Sequence, residues 1–148
     1  MKEEIKKYIK SVIKNAGVAT FLTINFDNMP EARALCNAAN SNNDKIGDDF
    51  VLYFATGSFS PKVEQILKNK NTSVYYYSET SNLSLFGDSE IVSDKKLKDS
   101  VWQESWKDYY PNGGKNDPTY CVIKFTPRKF KYYSIKDGDF EKIECKIY

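Results

Sequence analysis

The chain of 148 residues is 41% hydrophobic and 28% charged, and its 22 Lys and Arg nearly balance its 20 Asp and Glu. This is one domain's length; a 15% aromatic content excludes a disordered chain, and a net charge of +2 demands neither nucleic acid nor an anionic membrane. With no histidine, the chain lacks the usual general base, the Ser-His and Cys-His nucleophile pairs and the commonest catalytic zinc ligand.

Ile5, Tyr8, Ile9, Val12 and Ile13 recur at helical spacing between lysines, which predicts an amphipathic helix over 3–14 ended by Asn15 and Gly17. Its frequent charges leave no apolar core for a secretory signal, and nowhere does an apolar run approach the roughly 18 residues of a membrane span. Cys36, Cys121 and Cys145 are odd in number and widely spaced, which reads as reduced thiols. The cytoplasm is the expected compartment.

The β-branched and aromatic run 18–26 predicts a strand, and the turn residues Asp27 and Asn28 lead into a return strand over 29–38. On that second strand Ala32, Ala34 and Cys36 alternate with Glu31, Arg33 and Leu35. A polar loop, expected to be mobile, follows over 37–49. Residues 50–56 form an apolar strand, and Pro61 opens a helix over 61–70 with Val63, Ile66 and Leu67 as its inward stripe. Two strands follow at 72–78 and 83–93, and Gly87 marks a bulge or a close backbone approach. Ser93 or Asp94 caps a third helix running to about Tyr109, with Leu97, Val101, Trp102, Trp106 and Tyr109 along it. Two strands on either side of Arg128, an Asp137-Gly138 turn and a last strand at 140–147 complete the chain. Seven or eight strands joined mostly by hairpins, with three helices outside them, predict an antiparallel barrel or sandwich.

The segment ATGSFSPKVEQI (55–66) carries the most chemistry. A strand ends at Thr56, and Ser60 and Pro61 take the N-cap and N1 positions of a helix whose first N–H groups have no intrahelical acceptor. Lys62 lies in the first turn, where a cation opposes the helix dipole unless an anion sits between them. That pattern fits a phosphate site and an ordinary capped helix equally well. Arg33 shifts the balance toward phosphate. It is one of two arginines among 20 lysines, it stands between the small residues Ala32 and Ala34, and its fork matches a phosphate. A salt bridge to Glu31 is the alternative use of Arg33.

The same residues carry a family resemblance. VATFLTINFDNMPEARALC resembles the opening hairpin of the pyridoxamine 5'-phosphate oxidase-like split-barrel flavoproteins, and within them the general stress protein 26 group. FVLYFATGSFSPKVEQILKNKNTSVYYY resembles their strand, T-x-x-x-S-x-K loop, helix and next strand. LSLFGDSEIVSDKKLKDSVWQESWKDYYPNGGKNDPTYCVIKFTP resembles the group's strand-to-helix passage, Trp-containing helix and final strands, so the match spans 16 to about 134. The resemblance implies a mainly β fold, an antiparallel split barrel of Greek-key type with about three peripheral helices, in a single domain over 1–148.

It further implies that Arg33 and Lys62 bind the phosphate of FMN, helped by Thr56 and Ser60. Backbone near Ala34 and Leu35 would lie against the isoalloxazine ring. Asn82 matches a position that reaches the flavin from the partner subunit, though the family often has the longer Gln there. Tyr109 and Tyr110, just before Pro111, would cover the flavin from the partner chain. Pro61 replaces an Arg that is frequent in the family. A homodimer with flavin sites at its interface is implied, with no nucleic acid or membrane partner. Pyridoxamine phosphate oxidases hold their substrate through Arg and His near the carboxyl terminus. This chain has neither beyond Arg128, which argues against vitamin B6 oxidation, and the absence of His likewise weakens a nitroimidazole-reductase reading. An FMN-dependent oxidoreductase acting on an unidentified substrate, in a stress response, is the leading expectation; a flavin-binding sensor or carrier module is the alternative. A nucleic-acid-binding barrel would need clustered positive charge, whereas acids are interspersed throughout.

Overall fold

A computed structural model describes residues 1–36, 46–136 and 138–147, with backbone alone for Lys136. The predicted loop 37–49 therefore lies mostly outside the described residues, as does Asp137 of the last turn. Seven strands make one antiparallel sheet: β1 (Val18–Ile24), β2 (Pro30–Cys36), β3 (Leu52–Gly57), β4 (Asn71–Tyr77), β5 (Ser81–Ile91), β6 (Tyr120–Lys136) and β7 (Asp139–Lys146). Their order is β2-β1-β4-β5-β6-β3, with β7 added beside the outer half of β6. Among the described residues no ladder joins β2 to β3, so the barrel stays split along that seam.

Period-two burial drives the closure. Ala19, Phe21 and Thr23 of β1 and Leu52, Phe54 and Thr56 of β3 point inward, as do alternate residues of β4 and β5. The interior holds Phe21, Phe54, Val74, Tyr76, Leu83, Leu85, Ile123, Phe125 and Phe130, and α1 (Glu3–Asn15) covers it with Ile9 and Ile13. Tyr8 adds an edge-on ring contact with Tyr132, with centroids 4.9 Å apart.

Four expectations change in the structure. The two strands predicted around Arg128 are one 17-residue strand, β6. The interruption is a bulge: Phe86 pairs with Lys129 and Gly87 with Pro127, leaving Arg128 as the extra residue. Proline has no N–H to donate to a ladder, and a bulge accommodates it. Gly87 is required there, because a Cβ on it would lie 2.1 Å from the Thr126 carbonyl oxygen. Arg128 Nη2 lies 3.0 Å from Asp88 Oδ1 and 3.3 Å from Asn71 Oδ1, which closes the bulge against β4 and β5.

The helix expected to reach Tyr109 stops much earlier. α3 (Lys95–Val101), capped by Asp94 Oδ1 accepting from the Leu97 N–H at 2.7 Å, gives way to extended backbone at Trp102 and a 3₁₀ turn at Glu104–Trp106. Trp102 makes edge contacts with Trp106, Tyr110 and Tyr120 at 6.1, 5.8 and 5.1 Å, forming an aromatic cluster where the helix ends. In α2 (Pro61–Lys68), Leu67 is 72% exposed, whereas Gln65 is buried beside Val63 and Ile66. Its burial is explained by the polar network described below. Finally, Ser60 occupies the N-cap of α2, but its hydroxyl does not cap; it faces Lys62.

Candidate functional site

Two features meet at the open seam. The first is a polar cluster at one end of the barrel. β2 directs Glu31 and Arg33 to the same side as the inward residues of β1, and register places Arg33 opposite Phe21. Arg33 Nη1 donates to Thr23 Oγ1 at 2.6 Å and to the Phe21 carbonyl at 3.4 Å. Its Nη2 donates to Gln65 Oε1 at 3.2 Å and to Glu31 Oε1 at 3.1 Å. Gln65 in turn accepts from Thr23 Oγ1 at 2.5 Å and donates to Glu31 Oε2 at 3.2 Å. Thr23 and Gln65 are 0% and 3% exposed, so their polar atoms find partners within the network.

Lys62 stands at the start of α2 beside this network. Its Nζ donates to Thr56 Oγ1 at 2.9 Å and, at short range, to Ser60 Oγ. Among the described residues no carboxylate pairs with it. Burial first, and the Arg33 charge second, hold its pKa below the ordinary lysine value. Glu31, by contrast, is held below the usual carboxylate range by the Gln65 hydrogen bond and by Arg33. Two cations thus share one end of the seam with a single carboxylate.

The second feature is a groove of about 350 Å³ along the outer side of the seam. Ala34, Leu35 and Cys36 of β2 form one wall; Ala55 and Gly57 of β3, with Phe59, form the other; Trp106, Tyr109, Tyr110 and Thr119 close it. Among the described residues no Asp, Glu, Lys or Arg lines it, and burial pushes the Tyr110 hydroxyl up to about 12, so that group stays neutral. Phe59 and Tyr109 are 82% and 77% exposed at the rim. The Phe59 ring lies over Gly57, where an added Cβ would come within 2.7 Å of it. Small residues on both strands leave room for a flat ligand to approach the backbone.

Of the residues singled out in the sequence, Arg33, Thr56, Ser60 and Lys62 surround the polar end, and Ala34, Leu35 and Tyr110 line the groove. Asn82 is elsewhere. It lies near the far end of the sheet, opposite Tyr133 on β6, in a surface recess with Tyr75, Tyr77 and Phe140. The residues that hold Arg33, Thr23 and Gln65, were not foreseen. The inward parity of β1 (Ala19, Phe21, Thr23) carried a signal for the first.

An open antiparallel barrel with a groove along its seam defines the split-barrel class. Comparison with known proteins refines this. The profile of the family described as "Pyridoxamine 5'-phosphate oxidase like" matches residues 3–145, and the chain belongs to that family. A search of curated proteins found no match. Among solved structures, a protein from Clostridium acetobutylicum related to general stress protein 26 superposes with a TM-score of 0.81 at 22% identity, covering 100% of both chains. General stress protein 26 of Bacillus anthracis gives 0.71 at 25% identity, covering 95% of this chain and 99% of its own. A pyridoxamine 5'-phosphate oxidase-related, FMN-binding protein of Nostoc punctiforme gives 0.65 at 16% identity, covering 96% and 93%. No helix among the described residues is long and apolar enough to cross a membrane.

Proposed function

We propose that the protein is an FMN-binding flavoprotein that acts as an oxidoreductase on a small substrate, in a stress response. The observation that carries this reading is Lys62: partly buried, without an acidic partner among the described residues, beside Arg33, and at the end of an uncharged aromatic groove. A phosphate between the two cations would relieve their repulsion. Arg33 and Lys62 would hold that phosphate, with Thr56 and Ser60 as hydroxyl partners. Ala34, Leu35 and Tyr110 would flank the ring. The donor set fits a phosphorylated planar cofactor: charge at one end, apolar and aromatic surface along the rest.

Bound FMN supplies its own one- and two-electron chemistry, so a chain without histidine need provide no acid or base. The protein's tasks are to anchor the phosphate, keep water from one ring face and leave the other open at the rim. The names of similar stress proteins and of an FMN-binding relative support the reading.

A homodimer belongs to the same proposal. Exposed Tyr77 and Phe140 flank the recess that holds Asn82, and pairing of two copies would cover them and could bring Asn82 to the other copy's groove.

The test is to identify the cofactor released on denaturing the purified protein, then to mix the flavin-loaded protein anaerobically with NADH or NADPH. Release of FMN and bleaching by a donor support the oxidoreductase. Retained flavin that no donor bleaches favours the sensor or carrier module, and a protein that takes up no flavin contradicts both.

A further inference from the structure

Arg33 makes four contacts through its terminal nitrogens, and they are of two kinds. Three are to neutral acceptors, the Phe21 carbonyl, Thr23 and Gln65, all fixed in the barrel wall or in α2. These fix the plane of the guanidinium. The fourth is to Glu31, whose side chain is 45% exposed while that of Arg33 is 17% exposed. Glu31 is therefore the most exposed partner, and its departure leaves the three neutral contacts to Arg33 in place while the Gln65 amide gives up one acceptor. It is also the one carboxylate paired with Arg33 among the described residues.

We propose that Glu31 is a built-in stand-in for the ligand's phosphate. Its carboxylate pairs with Arg33 when no ligand is bound and is displaced, or repelled, when a dianionic terminal phosphate enters, so it sets the threshold of affinity at this site. The proposal rests on the phosphate-binding reading above. A phosphate monoester carries close to two charges at neutral pH and can outcompete one carboxylate for an arginine fork and a lysine. A ligand lacking that group has no means of displacing Glu31 and gains nothing from its removal. Glu31 thereby selects for a terminal phosphate as well as limiting affinity for it.

Glu31→Gln removes the charge and keeps one acceptor oxygen for Arg33, while the Gln65 amide loses the second carboxylate oxygen that it donates to. Equilibrium titrations of wild type and Glu31→Gln are run with FMN and with riboflavin, read by quenching of flavin fluorescence. FMN affinity is expected to rise about tenfold in the variant, with riboflavin affinity unchanged. Inorganic phosphate without flavin should raise the melting temperature of the variant more than that of wild type. Unchanged or weaker FMN binding in the variant overturns the proposal, as does an equal shift for both flavins, which would indicate shape and not charge. If wild type and variant both ignore FMN and phosphate, the phosphate-binding reading itself fails and Glu31 is only a structural partner of Arg33.

Discussion

Arg33 and Lys62 stand at the same end of the barrel seam, yet among the described residues only Arg33 has a carboxylate against it, Glu31 at 3.1 Å. Lys62 is held by two hydroxyls, Thr56 and Ser60, and its protonated form is disfavoured by burial and by the Arg33 charge. Such an arrangement costs stability that a bound anion would return.

That cost sets a pH dependence. A lysine with a folded pKa below its unfolded value of 10.5 binds fewer protons in the folded than in the unfolded state between those two values. Stability then rises with pH through that window, and below it the penalty for charged Lys62 is constant. Lys62→Met removes the penalty. The ligand-free variant should melt higher than wild type at neutral pH, with the gap closing as pH approaches 10.5. Saturating FMN should reverse the order. Melting curves across pH check this, and a ligand-free variant that melts lower at neutral pH contradicts it.

Arg33→Ala acts on the fold as well as on the ligand. It strips Thr23 and Gln65, both buried, of a charged donor. Loss of about 1–3 kcal/mol is expected from the unpaired groups, measured by denaturant titration. Arg33→Lys should recover only part of this, because a point donor cannot serve two sides of a fork.

Gly87→Ala tests the bulge. With a Cβ placed 2.1 Å from the Thr126 carbonyl oxygen, β5 and β6 must separate locally, and a loss of about 3 kcal/mol is expected. An unchanged denaturation midpoint would mean that the two strands do not approach this closely.

The three thiols should differ in reactivity. Cys36 is exposed on the groove wall, whereas Cys121 is buried with its thiol pKa raised by burial. A maleimide should label Cys36 fastest and Cys121 only on unfolding. FMN should slow labelling of Cys36, as read by mass spectrometry. Labelling of Cys36 at the same rate with and without bound FMN would place the ring elsewhere.

Much of this was legible in the sequence. The rarity of arginine singled out Arg33, and Pro61 in the first turn of α2 placed Lys62 and Thr56, because a helix start is a local signal. The network behind Arg33 was hidden because it depends on tertiary placement. Gln65 reads as a solvent residue on α2, and only the approach of α2 to β1 and β2 buries it. That swap also reverses Leu67. The continuity of β6 was hidden by Pro127, which breaks most strands but here sits in a bulge. The early end of α3 follows from the packing of Trp102 with Tyr110 and Tyr120, contacts that helical periodicity does not encode.

The most direct test of the central claim is an equilibrium titration of FMN and riboflavin into the purified protein and into Lys62→Ala. Saturable binding of one FMN per chain is predicted, weakened about tenfold or more in the variant, with riboflavin weaker than FMN and indifferent to the substitution. Equal affinity of wild type for FMN and riboflavin, or FMN affinity unchanged by Lys62→Ala, would contradict a phosphate held between Arg33 and Lys62.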